Sequence, residues 1–458
     1  MKHSRSHSAW LKRGTAIGTA LLLGVGLVSC SSSAEPEADG GGVGTEDAPV
    51  TITMIANQSF SQQWQEKLIP EFNKVYPYIN VEIEGVPYEE LLTKSMLDLT
   101  ATKPSYDIII ADDPWTPQLA QTGGLLDLQG DTVAAWTEDD YDWDDFYGAP
   151  LASSEWDGTQ YGVPLRSNLL ARFVNTSLYE AAGLEIPDEN QTWEEFLDEG
   201  DKLVRDTNGD GTPDVWALST MWARGTLTPT VWQTILDSNG GSLFDEDMNP
   251  TFDDELGAEA LQTHIDLMQI APPGAEAHNF DEPLAAFRGG TVANMFQWGS
   301  VYYGSAVDPS TTTLTPDQVV IMTMPAGTEG PSSHRGVWSG SINKNSDNAE
   351  AAWALLQWMS SKEGEHWSVN NLGVFPARQS TLSSDPEPGN EWLVPVFEAI
   401  SAGFAAAEEQ EGWRPRDPQS NAIQEILADV TSLAMTGELT SEEALQRGAD
   451  EVRDLLGK

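Results

Sequence analysis

Asp206, Asn208, Asp210 and Asp214 occupy the first, third, fifth and ninth positions of the stretch DTNGDGTPDVWAL, with Gly209 and Gly211 between them. Side-chain oxygens at this spacing can turn inward on a hard cation while a glycine permits the sharp bend, which is calcium chemistry. The twelfth position, where a bidentate Glu closes such loops, holds Ala217. An Asp/Asn/Gly-rich run is also the composition of an ordinary surface turn. The four residues therefore stand as candidate ligands of a structural calcium ion, with the plain turn as the alternative, and no other cofactor is expected. Catalytic signatures are missing: there is no G-x-S-x-G, H-E-x-x-H, Walker loop or G-x-G-x-x-G. His264, His278, His334 and His366 lie scattered, without metal-ligand spacing. A glycosidase needs only two well-placed carboxylates, and 72 Asp and Glu are available. A cell-surface glycoside hydrolase is thus the enzymatic reading to weigh, while the expectation is a protein that is not an enzyme.

The elements that would position such residues are clearest near the start of the body. VTITMIANQ from Val50 alternates as a strand, and SQQWQEKLIPEFNKVYP then puts Trp64, Leu68, Phe72 and Val75 at helical spacing. INVEIEGV is a second strand, YEELLTKSMLDLTATK a helix with Leu91, Leu92 and Leu99 apolar, and YDIIIADD a continuous apolar strand of the buried parallel kind. Strand, helix, strand, helix, strand predicts an α/β lobe with a parallel sheet. Ligands of such sheets sit beyond the carboxyl ends of the strands. Those ends carry Asn57 and Gln58 after the first strand, and Asp112, Asp113 and Trp115 after the third. Amide, carboxylate and indole suit a polyhydroxyl ligand, whose hydroxyls take hydrogen bonds and whose apolar face an indole can cover.

The first 29 residues have a basic start and an apolar run from Ala16 to Val28, the pattern of a secretory signal. Cys30, the one cysteine, ends LVSC and is followed by a small, polar, glycine-rich run to residue 49 that predicts a disordered tether. A lone cysteine forms no intramolecular disulfide. Without residues 1–29 the chain keeps 19 basic against 72 acidic residues, a net charge near −53. That argues against nucleic acid and anionic lipid surfaces as partners, since both need clustered Lys and Arg. The densest acidic run, WTEDDYDWDD, is read as a solvated face. Some 409 residues beyond the tether are too many for one ordinary core and suit two lobes.

From Val50 onward a series of stretches stands in order: YDIIIADDPWTPQLAQTGGLLDL, DGTQYGVPLRSNLLARFVNTSLYEAAGL, TWEEFLDEGDKLV, DTNGDGTPDVWAL, ILDSNGGSLF, AAFRGGTVANMFQWGS, GVWSGSINKNSDNAEAAWALLQWMSS and NLGVFPARQS. In this order and spacing the chain resembles the family 1 extracellular solute-binding proteins, the maltose-binding-protein-like receptors of ATP-driven sugar importers. The resemblance implies an α/β, two-lobed periplasmic-binding-protein type II fold, with a hinge and an interlobe ligand cleft. It implies crossings near Leu165 to Arg172, Val319 to Met324 and the helix AEAAWALLQWMSS. Lobe 1 would be 50–167 plus 323–357, and lobe 2 would be 168–322 plus 358–458. LVSC resembles a lipobox, so Cys30 would carry a lipid that holds a monomer at the outer face of the cell membrane, beside its ABC permease subunits.

Carried over position by position, the ligand-binding residues are Gln58, Asp113, Trp115, Asn168, Trp222, Trp298, Trp338, Ser339, Gly340 and Arg378. Trp298 and Trp338 would stack on sugar rings, whereas Trp353 and Trp358, set among leucines, read as core. The implied ligand is a mono- or oligosaccharide. The same lobes could hold a polyol phosphate, peptide or polyamine, and Arg166, Arg172 and Arg224 leave a phosphate open. In the resemblance the aspartate loop lies in the second lobe, so an ion there would brace the scaffold.

Overall fold

A computed structural model describes residues 42–225, 227–408 and 414–458. The signal segment 1–29, the lipidation candidate Cys30 and the tether as far as residue 41 lie outside the described residues. The end of the expected tether is folded: Thr45 and Ala48 exchange backbone hydrogen bonds across a turn, and Val50 N–H then donates to Tyr78 O. No helix among the described residues is long and apolar enough to cross a membrane.

Eight strands form the main sheet: β1 (Val50–Asn57), β2 (Ile79–Val86), β3 (Ile108–Asp112), β4 (Val163–Asn175), β5 (Trp216–Ser219), β6 (Val292–Trp298), β7 (Val319–Met322) and β8 (Arg335–Ile342). Their order is β2-β1-β3-β8-β4-β6-β5, with β7 also on β4. β1 pairs in parallel with β2 and β3, as the strand–helix alternation predicts. β3 is buried at every residue. The helices used below are α1 (Gln58–Gln63), α2 (Tyr88–Leu99), α3 (Pro229–Ser238), α4 (Glu255–Asp266), α5 (Ala349–Met359), α6 (Leu393–Glu408) and α7 (Ser420–Met435).

The strand β4 joins two halves. Its first residues, as far as Leu169, pair with β8 beside β3, and from Leu170 onward it pairs with β6 and β7. Each half then has apolar cores on both sheet faces. In the first half, Trp64, Phe72, Trp353 and Leu356 pack on one face and Leu91, Leu99, Trp115 and Leu119 on the other. In the second half, Trp222, Trp232, Leu261 and Leu427 lie on one face and Phe173, Phe287, Val396 and Phe404 on the other. Val75, expected on the buried stripe with Trp64, Leu68 and Phe72, is 52% exposed. The five-residue π-turn Trp64–Leu68 rotates the end of that helix away from the core.

The other two connections fall later in the chain than residues 319–324 and 349–361. β7 still pairs with the second half of β4. Ala326 and Glu329 donate backbone bonds to Gln191 O and Ser238 O, His334 N–H donates to Thr234 Oγ1, and only at Arg335 does β8 enter the other sheet. α5 packs wholly in the first half with Trp64 and Phe72; beyond it the chain touches both halves, Val369 and Phe375 packing in the far core while Trp367 and Ala377 still pack in the near one, and from Leu382 it stays with the far core. The acidic run 136–145 is only partly a solvated face, because Tyr141 is buried and Trp143 stacks on Trp353.

His264, on α4, is wholly buried and faces Trp222, and neither ring nitrogen has a partner among the described residues. Burial pushes its pKa down to about 3. The unfolded chain takes up this proton near pH 6.5 and the folded chain does not, so stability falls as pH drops from 6.5 toward 3. His264→Leu is expected to change stability little at pH 7.5 and to remove roughly 2–3 kcal/mol of the loss between pH 6.5 and 4.5. Urea unfolding at the two pH values measures it, and equal acid losses in both proteins would refute it.

Candidate functional site

A cavity of about 330 Å³ opens between the halves, where β4 passes from one to the other. Asn57, at the end of β1, caps α1 by accepting from Ser59 N–H at 2.8 Å, which sets Ser59 and Phe60 at the cavity wall. The end of β3 brings Asp112, and α2 brings Tyr88. β4 and β8 pair with a bulge: Trp338 faces Arg166 and Ser339 faces Pro164, so Leu165 is the extra residue. A bulge re-aims the side chains beside it, and Arg166 and Trp338 both line the cavity. From the second half come Trp298 at the end of β6, Ser300 just after it, Thr230 on α3 and Gln424 on α7.

Trp338 is held by rings meeting it edge-on: Phe60 at 5.3 Å, Trp115 at 5.9 Å and Tyr88 at 6.0 Å between centroids. Trp298 is 9% exposed and meets the His334 ring at 5.8 Å. Gly336 admits it: a Cβ there would stand 3.3 Å from the Trp298 ring and 3.2 Å from an Arg414 nitrogen. Asn168 donates to Ser300 Oγ at 2.9 Å and accepts from Ser300 N–H at 3.2 Å, tying the crossing strand to the second half.

The strongest charges belong to a three-residue cluster. Arg414 donates to Asp112 Oδ2 at 2.8 Å, to Asp112 Oδ1 at 2.9 Å and to Asp113 Oδ2 at 2.7 Å. Tyr88 Oη donates to Asp112 at 2.9 Å and Val337 N–H to Asp113 at 2.7 Å. Burial pushes Asp113 up to about 6 against the pull of Arg414. Burial also works against the Arg414 charge, but the two carboxylates outweigh it and hold the guanidinium above its ordinary value. Burial lifts the Tyr88 hydroxyl well above its usual range, with Asp112 adding to the effect. His334 is pushed well below its ordinary value by burial and then by Arg414 and Arg335, and so stays neutral.

Of the ten sequence-selected ligand residues, the structure places Asn168, Trp298 and Trp338 on the cavity. Asp113 stands behind them as a partner of Arg414. Gln58 is exposed at the start of α1, next to the lining residue Ser59. Trp115 is 2% exposed and packs behind Trp338 as core. Trp222 is core in the second half, because its backbone N–H is tied to His278 O and its ring faces His264. Ser339 and Gly340 face inward: a Cβ on Gly162 would touch Ser339, and one on Gly340 would meet Leu356 and Leu165. Arg378 is wholly buried elsewhere, donating to Ser360 O, Tyr141 O, Asp142 O and Asp145, so it clamps the acidic run 136–145.

Residues the sequence reading did not select include Phe60, Tyr88, Thr230, Ser300, His334 and Arg414. Arg414 carried a signal: WRPR sets two arginines about a proline in a chain with only 23 basic residues.

The aspartate loop lies apart from the cavity and is closed by its own backbone. Asp206 accepts from Gly209, Asp210 and Gly211 N–H, Asn208 from Asp210 N–H, Asp210 from Thr212 N–H, and Asp214 from Thr207. Gly209 and Gly211 take positive φ of 79° and 89°, which the turn requires. Among the described residues no group of three or more His, Cys, Asp or Glu converges as a metal shell would. As a self-closed turn the loop would need no ion, and a chelator would then leave the melting temperature unchanged. A fall of several degrees, reversed by calcium, would show instead that the loop closes on an ion.

Comparison with known proteins agrees with this architecture. Residues 57–366 match the bacterial extracellular solute-binding protein family. A probable amino-acid ABC transporter periplasmic-binding protein of Sinorhizobium fredii is 27% identical over 68% of this chain and 68% of its own length. A solute-binding protein of Agrobacterium radiobacter solved with ribitol is 26% identical, with TM-score 0.73, covering 89% of this chain and 98% of that one. The maltose-bound MalE3 protein of T. maritima has TM-score 0.74 at 23% identity, covering 89% of this chain and all of that one. With its interlobe cavity and its match over residues 57–366, this chain belongs to the bacterial extracellular solute-binding proteins.

Proposed function

We propose that the protein is the substrate-binding component of an ABC-type importer and captures a sugar or polyol between its lobes. One observation carries this reading. Trp298 from one half and Trp338 with Phe60 from the other face a single cavity, whose wall also carries hydroxyl, amide and guanidinium groups among further apolar side chains such as Leu227 and Phe375. Indole faces cover the apolar side of a sugar ring while the polar groups take its hydroxyls. The volume of about 330 Å³ suits one or two rings. Contacts to both halves favour the closed form, and a solute shifts the opening equilibrium only by its differential affinity for that form. The relatives include a ribitol-bound protein, which supports a polyhydroxyl solute, and a probable amino-acid receptor, which marks the alternative to test.

The role is binding without catalysis. Proteins of this family act outside the cytoplasm, and in our reading the chain works as a monomer held by a lipid on Cys30 and delivers its solute to the permease. Cys30→Ser should release it into the medium, and retention in the membrane fraction would refute the anchor. A thermal-shift screen of sugars, polyols, amino acids and peptides tests the solute class. A ligand at 100 times its Kd stabilises the native state by about 2.7 kcal/mol, so a sugar or polyol should raise the melting point clearly. Stabilisation by amino acids alone would overturn the sugar assignment.

A further inference from the structure

We propose that the solute is an acidic sugar and that Arg166 binds its carboxylate. This rests on the sugar reading above and narrows it. Arg166 lines the cavity beside the β4–β8 bulge. Its guanidinium lies 4.8 Å from the centroid of the Phe60 ring, and it has neither a hydrogen bond nor an ion pair among the described residues. Other buried arginines are engaged. Arg172 donates to Asn294, Gln191 and Tyr179, Arg378 to three carbonyls and Asp145, and Arg414 to both aspartates. Arg224, considered for phosphate, is paired at the surface with Asp429. Burial lowers the Arg166 pKa, to about 10. A guanidinium partly withdrawn from water and without a partner among the described residues, in a chain of net charge −49, is costly unless a ligand completes it.

The neighbours point the same way. Ser167 also lines the cavity, is 2% exposed, and its Oγ has no partner among the described residues. The carboxylate that reaches the cavity, Asp112, already accepts on both oxygens from Arg414 and also from Tyr88 and Asp113 N–H. The wall therefore sets the Arg166 and Ser167 donors beside a carboxylate that is already paired. A sugar hydroxyl both donates and accepts, whereas a carboxylate only accepts. The planar fork of arginine matches a carboxylate with two parallel N–H···O bonds. One uncompensated positive charge balances a monoanion; a phosphate dianion would leave an excess negative charge in the cavity. At hydrogen-bond distance this local pair outweighs repulsion from the distant surface carboxylates, which salt screens.

Calorimetric titration of the purified protein with matched acidic and neutral solutes tests the proposal. The acids are D-glucuronate, D-galacturonate, D-gluconate and digalacturonate; their counterparts are glucose, galactose, glucitol and galactobiose, with glucose 6-phosphate as the dianion. The expected result is one acid binding about 100-fold more tightly than its neutral counterpart. Arg166→Gln should erase about 30-fold or more of that preference, weakening the acid far more than its neutral counterpart, and Arg166→Lys should restore part of it. Neutral solutes binding as tightly as the acids, an equal loss for both in Arg166→Gln, or preference for glucose 6-phosphate would each overturn the acidic-sugar proposal while leaving the sugar reading intact. Binding of no sugar, acidic or neutral, would overturn both. Circular dichroism and melting of the two variants confirm that the fold is retained, and a lysine variant that folds but binds no acid counts against the proposal.

Discussion

Replacing Trp298 by alanine is expected to weaken solute binding by roughly two to three orders of magnitude, the cost of removing a central aromatic anchor from a desolvated pocket. The ring sits at the end of β6, pressed against Gly336 and His334, with Arg414 beside it. Among the described residues it is the one indole that the second half turns to the cavity, opposite Trp338. Truncation removes the stacking surface and one of the contacts that link solute to closure. Because the ring is 9% exposed, some stability will be lost as well. Trp222→Phe separates the two effects: Trp222 is buried in the same half but lies off the cavity, so that variant should lose stability and keep its affinity. Calorimetry with the best solute from the screen, on protein confirmed folded, decides the matter. An affinity loss of less than about fivefold in Trp298→Ala would remove this ring from the binding surface.

Arg414→Met should destabilise the protein by about 3–5 kcal/mol, the usual cost of removing one partner from a buried ion pair. Two adjacent carboxylates, Asp112 and Asp113, would lose their shared cation. The effect should also cross the cleft. Arg414 belongs to the segment leading into α7, whose Ile423 and Leu427 pack in the second half, whereas Asp112 and Asp113 end β3 in the first. Arg416 reaches the carbonyls of Ala152 and Glu155, and Ser420 that of Pro114, so three contacts strap the second half to the first.

The sign with pH follows from Asp113. Its folded pKa, about 6, lies above the ordinary value of 3.8, so the folded state holds the proton more readily and loses stability as pH rises through that window. Without Arg414 that pKa must rise further. The deficit of Arg414→Met should therefore be smaller at pH 5 than at pH 8, and Asp113→Asn added to it should recover part of the loss. Urea unfolding of the single and double variants at both pH values measures this. A deficit independent of pH would mean that the arginine contributes packing and not charge.

Much of this was legible along the chain. Alternation in VTITMIAN and INVEIEGV, and the unbroken apolar IIIAD, reported strands, because burial of one or both faces leaves its period in the sequence. The strand ends then marked one wall of the cavity, which includes Ser59, Phe60 and Asp112. Residue type alone was a poorer guide to which indoles face the solute. Trp115 and Trp222 have the same chemistry as Trp338 and Trp298, and they are core because other rings and helices cover them.

The sequence by itself determined the α/β class, the two-lobed plan and the family, since these rest on local periodicity and on the order of many short motifs. Only the tertiary structure decided that β4 changes sheet between Leu169 and Leu170, and that Arg378 clamps an acidic run far from the solute. It also decided that Arg414 meets Asp112 across 302 positions of sequence and that the Arg166 guanidinium lies over the Phe60 ring with no ion-pair partner among the described residues. Pairings of that kind depend on strand register and on where the chain crosses between lobes, and no local pattern of side chains encodes either.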